Sequence, residues 1–107
     1  MDKNQIIIRK IKGYAEQSLE FLGGLNYEQF ERDAKTIAAC VMNLSQIGEL
    51  AGKLDEEFTE KHTNIPWHKM RGMRHRIVHD YEGLRLNIVW EVLMEFLPEL
   101  IENLKSM

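Results

Sequence analysis

One apolar stripe constrains this chain more than any other feature. Phe30, Ala34, Ile37, Val41, Leu44, Gly48 and Ala51 follow one another at steps of 4, 3, 4, 3, 4 and 3 residues. That rhythm keeps one face of an α-helix apolar. A strand would need a period of two. The stripe predicts one helix of about seven turns, from Asn26 or Tyr27 to about Leu54. Ile8, Ile11, Ala15 and Leu22, with Ile7, Tyr14 and Phe21 beside them, predict an earlier helix over residues 4–22. Gly23-Gly24 stops it.

Pro66 in a first turn opens a third helix, from Trp67 to about His79. After a break at Glu82-Gly83, a fourth runs from Leu86 to the C-terminus. Val89, Val92, Phe96, Leu97, Leu100 and Leu104 form its inner side, and Pro98 predicts a kink or early turn. Residues 55–65 are mixed, with a short helical turn at Glu56–Lys61. Four amphipathic helices with short connections give an all-α, up-and-down bundle, a single domain over residues 1–107. Ser45, Gly48, Ala51 and Gly52 are small and close together. A helical glycine costs up to ~1 kcal/mol relative to alanine, so close approach by another helix is expected there.

Composition excludes several classes. The chain has 107 residues, 44% hydrophobic and 29% charged, which is globular and not disordered. One cysteine, Cys40, rules out an internal disulfide framework and a multi-cysteine zinc module. Its place beside the core stripe suits a buried thiol. The first apolar run, Ile6–Ile8, is too short for a signal peptide. No stretch approaches the roughly 20 apolar residues of a membrane span, so a cytoplasmic address with no membrane partner is expected. So small a domain gains core by pairing with a second copy.

The net charge of −3 is unevenly spread. Residues 61–85 carry six Lys or Arg against Asp80 and Glu82, a local +4 that leaves −7 elsewhere. His68, His75 and His79 lie in the same segment. A localised basic, histidine-rich segment suits an anion. On a helical wheel Met70, Met73 and Ile77 face inward. Arg71, His75 and His79, stepping by four, line one polar ridge. Arg74 falls at the edge of the apolar face. Arg74 and His79 diverge by about 140° on an ideal helix. One copy cannot easily bring both to one phosphate, whereas two copies about a two-fold axis can.

The run Ile65-Pro66-Trp67, Arg71-Gly72-Met73-Arg74-His75, then Ile77-Val78-His79-Asp80-Tyr81 resembles the signature of HEPN-domain proteins, and in particular the HepT-like toxins. Ile47-Gly48-Glu49, Val89-Trp90-Glu91 and Leu97-Pro98-Glu99-Leu100 also look like that branch. The matching motif is Arg74, His75 as its polar residue, then His79, Asp80 and Tyr81. The resemblance implies a homodimeric helical bundle with Arg74 and His79 of both copies in one cleft. It further implies a metal-independent endoribonuclease toxin without cofactor. Its partner would be a minimal nucleotidyltransferase antitoxin that adenylylates the motif tyrosine, here Tyr81.

The residue chemistry fits this independently. RNA carries its own nucleophile, the 2′-OH, so proton transfer and charge stabilisation suffice. His79 can move the proton near neutral pH, and Arg74 can bind and stabilise the phosphate. Arg71, His75 and Tyr81 are candidate substrate contacts, Tyr81 by stacking or hydrogen bonding. Other readings stay open. His75 and His79 at i, i+4, with Asp80, His68 or His62, could ligate a metal, although adjacent arginines repel a cation. Glu49 could pair with Arg71 or Arg74. A non-catalytic HEPN module that binds nucleotide or RNA and assists a nucleotidyltransferase is the alternative function. A purely structural dimer is the third.

Overall fold

The computed structural model describes residues 2–80 and 86–107, and of residues 74–80 it describes the backbone. Helix α1 spans Lys3–Leu22, α2 Tyr27–Glu31, α3 Ala34–Ala51, α4 Glu56–Lys61 and α5 Trp67–Asp80. After them come α6 (Leu86–Glu91), a π-helical turn (Val92–Phe96) and α7 (Leu97–Leu104). The described residues form an all-α fold. Helix α3 is its centre, packed along α1 on one side and α5 on another, while α7 returns onto α1. The expected break at Glu82-Gly83 lies outside the described residues.

Local chemistry sets most boundaries. Asp2 accepts the Gln5 N–H at 2.8 Å while the Gln5 side chain accepts the Asp2 N–H at 3.1 Å, closing a capping box on α1. Gly23 ends the helix at φ +53°, a conformation that glycine adopts without steric cost. Asn26 and Gln29 form a second reciprocal box, both bonds 2.9 Å, that starts α2.

The long helix expected from Asn26 to Leu54 is broken. Asp33 accepts the Thr36 N–H at 3.1 Å and so caps a new helix, α3. Phe30 still packs inward, fully buried, but Ala34, the next residue of the expected stripe, is exposed and Ile37 is half-buried, so the buried stripe resumes only at Val41. Asp33 could not continue one helix and cap the next.

The C-terminal helix bears out the irregularity expected at Pro98. Proline has no N–H to offer the Met94 carbonyl, and its ring would crowd that oxygen. The backbone widens just before it, and the Leu97 N–H bonds to the Val92 carbonyl, five residues back. The wider turn changes which residues are innermost. Val89, Leu93, Leu97, Leu100 and Leu104 are buried, whereas the expected Val92 and Phe96 are half-buried. Phe21, expected beside the inner stripe of α1, is 42% exposed.

Ile11, Leu44, Ile47, Met70 and Leu93 form the heart of the core. Trp90 closes it at one side, with its ring 5.1 Å from Phe30 and 5.7 Å from Tyr27. Trp67 is buried near the start of α5, and its indole N–H donates to the His62 carbonyl at 2.9 Å. Of the four small residues expected to meet a close neighbour, Ser45 is half-buried and Gly52, just past the end of α3, is exposed. Gly48 and Ala51 are buried, and α5 packs along this helix.

Candidate functional site

Four of the five candidate residues, Arg71, Arg74, His75 and His79, share one continuous helix, α5. Its orientation is fixed at its first half. Ile65, Trp67 and Met70 are buried against the core, which leaves Arg71 exposed. Arg71 nevertheless has a fixed partner: its Nε donates to the Ala51 carbonyl at 3.3 Å. That oxygen ends α3 and also accepts the Leu54 N–H at 3.4 Å, and the helix dipole there favours a cation. Glu49, a candidate partner of Arg71 or Arg74, is exposed, and the Arg71 bond goes instead to this backbone oxygen.

The side chains of Arg74, His75 and His79 lie outside the described part of α5, and Tyr81 lies outside the described residues. The metal alternative built on His75, His79 and Asp80 falls there too. The backbone places Arg74 and His79 five residues apart, about 7.5 Å along the axis and about 140° around it. The divergence expected from the sequence therefore holds at the level of the backbone.

A groove of about 630 Å³ opens between α5 and the C-terminal helices. His68, Lys69, Gly72 and Met73 form one wall. Opposite stand Ile88, Val92 and Phe96, with Glu91, Glu95 and Glu99 at the rim. The floor is apolar and half-buried, one edge is basic, and the other is acidic. Sequence reasoning missed this feature, although the i, i+4, i+8 spacing of the three glutamates is visible in the chain. The acidic rim disfavours phosphate in the groove.

Cys40 plays no part in such chemistry. It is fully buried, with its thiol 3.8 Å from the Ser18 carbonyl. Burial, with the Asp33 charge adding to it, pushes its pKa up to about 11.

Comparison with known proteins gives this helix its context. Residues 11–107 match the family described as "Ribonuclease HepT-like". The chain belongs to the HepT-like family. Among its relatives is "Putative RNase TTE0752" of Caldanaerobacter subterraneus subsp. tengcongensis, 36% identical over 82% of this chain and 79% of that protein. Another is "Probable ribonuclease HepT" of Thermococcus cleftensis, 33% identical over 76% of this chain and 74% of its own. "Putative RNase MJ0127" of Methanocaldococcus jannaschii is 28% identical over 82% and 73%. No solved structure matches. The HepT-like match includes all of α5, and with it Arg74 and His79. Among the described residues, no helix is long and apolar enough to cross a membrane.

Proposed function

We propose that this protein is a metal-independent endoribonuclease, the toxin of a toxin–antitoxin pair. The observation that carries the reading is the pairing of Arg74 with His79 on α5 in a chain of the HepT-like family. His79 takes the proton from the 2′-OH, whose oxygen attacks the adjacent phosphorus. The bond to the 5′-oxygen breaks, and that oxygen is protonated as it leaves. Arg74 binds the phosphate and offsets the charge gathered in the transition state. A homodimer supplies two histidines, one as base and one as acid.

The groove supports the homodimer. A surface with one basic and one acidic edge is complementary to itself about a two-fold axis. A minimal nucleotidyltransferase would silence the toxin by adenylylating Tyr81. The added phosphodiester would occupy the site meant for RNA and pair with the same Arg74.

The deciding experiment is RNA cleavage by purified, unmodified protein. Products ending in 2′,3′-cyclic phosphate, formed equally well in EDTA, are expected. Arg74→Ala and His79→Ala should each lower the rate by roughly 10²–10⁴-fold while the protein stays folded. Loss of activity in chelator would move the mechanism to a metal site. RNA binding without cleavage would favour the non-catalytic module. Co-expression with a neighbouring nucleotidyltransferase should add adenylyl mass that Tyr81→Phe abolishes.

A further inference from the structure

We infer that Arg71 holds the RNA strand at a phosphate other than the one cleaved, and so sets where along the strand His79 acts. The inference rests on the ribonuclease reading above. Arginine carries five N–H donors in a planar fork. Here Nε is committed to the Ala51 carbonyl at 3.3 Å, which leaves the four Nη–H donors on the far edge of the guanidinium. Among the described residues no carboxylate forms an ion pair with it, and its side chain is exposed. A guanidinium already tied to the end of α3 loses less freedom on meeting a phosphate than a free arginine does.

The helix sets which phosphate this is. Arg71 and His79 are eight residues apart on unbroken α5, about 12 Å along its axis. Arg71 cannot follow His79 to one phosphate while its Nε stays at the α3 terminus. His75 lies midway between them on the same ridge. A single strand running along that ridge meets Arg71 at one phosphate and His79 at another. The groove is no alternative path, because Arg71 does not line it and its rim is acidic.

The test uses the His79→Ala protein, which keeps RNA intact, and a short fluorescent oligouridylate. Adding Arg71→Ala should weaken binding several-fold and reduce the slope of log K against log salt by about 0.7. Arg71→Lys keeps the charge but lacks the fork. It should restore the slope and leave affinity below wild type. In the protein that retains His79, Arg71→Ala should raise KM more than it lowers kcat. Thermal melts establish that each variant is folded. Unchanged slope and affinity in both Arg71 variants would overturn the inference alone. So would a fall in kcat at constant KM, since Arg71 would then act at the cleaved phosphate. Failure of the His79→Ala parent to bind RNA would overturn the ribonuclease reading as well.

Discussion

Asp33 accepts both the backbone N–H and the hydroxyl of Thr36, at 3.1 and 2.7 Å. The two bonds, the hydroxyl's first, hold its carboxyl below the ordinary value of 3.8. Asp55 is lowered in the same direction by Lys3 and Asn4, at 2.8 and 3.2 Å. In both cases the folded state keeps its charge where the unfolded chain already takes up a proton. The stabilisation is therefore complete above the unfolded value and lost as pH falls through the folded one. Urea midpoints measured from pH 6 downward should decline below about pH 4. Asp33→Asn should be less stable at pH 6 and show a shallower decline. An acid limb identical in variant and wild type would mean that the Thr36 bonds do not form in solution.

Gly13 sits exposed in the middle of α1, and a methyl group built on it meets no atom of the described residues within 4 Å. Its only consequence in the isolated chain is a more flexible unfolded state. Gly13→Ala should stabilise by about 0.5–1 kcal/mol, raising Tm by several degrees. Gly23→Ala should act in the opposite direction, by about 1–2 kcal/mol, because φ +53° is unfavourable to alanine. Differential scanning calorimetry of the two variants checks both signs at once. A destabilising Gly13→Ala would reveal a neighbour that approaches α1 closely.

Cys40 should be inert in the folded protein. Its thiol is buried and its pKa stands at about 11, so little thiolate is present near neutral pH. Labelling by a disulfide reagent should be slow in buffer and complete within minutes in denaturant. Rapid labelling of the native protein would show that α1 and α3 part readily at this point.

The fold is legible in the sequence where periodicity speaks for packing. The inner stripes of α1 and α3 predict Ile11, Ala15, Leu44 and Ala51, all fully buried. It is less legible where one side-chain hydrogen bond competes with a helix. Asp33 reads as one polar residue on a long helix, because capping depends on a backbone turn that the apolar stripe does not reveal. An ideal 100° wheel puts Val92 and Phe96 too deep, because it ignores the wider turn before Pro98. The basic ridge of α5 is readable as a spacing. The anchoring of Arg71 is not, because its acceptor is a backbone carbonyl 20 residues away and bears no mark in the sequence.

The groove makes the homodimer testable by charge alone. If two copies meet there, Lys69 of one faces the acidic rim of the other, and the two-fold axis makes every such contact occur twice. Lys69→Glu then places like charges together at both sites, as does Glu95→Lys. Juxtaposed like charges at an interface cost several kcal/mol, whereas either change on a solvated surface costs little. Light scattering at micromolar concentration should show dimeric wild type and two monomeric, folded single variants. Mixing the Lys69→Glu and Glu95→Lys proteins should restore a dimer. In the mixed pair, the carboxylate introduced on one chain meets the ammonium introduced on the other, and the second site keeps its native Lys69 and Glu95. If Arg74 and His79 act across the dimer, ribonuclease activity should vanish in each variant and return in the mixture. A wild-type dimer indifferent to both reversals would place the interface elsewhere, and activity in a monomeric variant would show that one copy of α5 is enough.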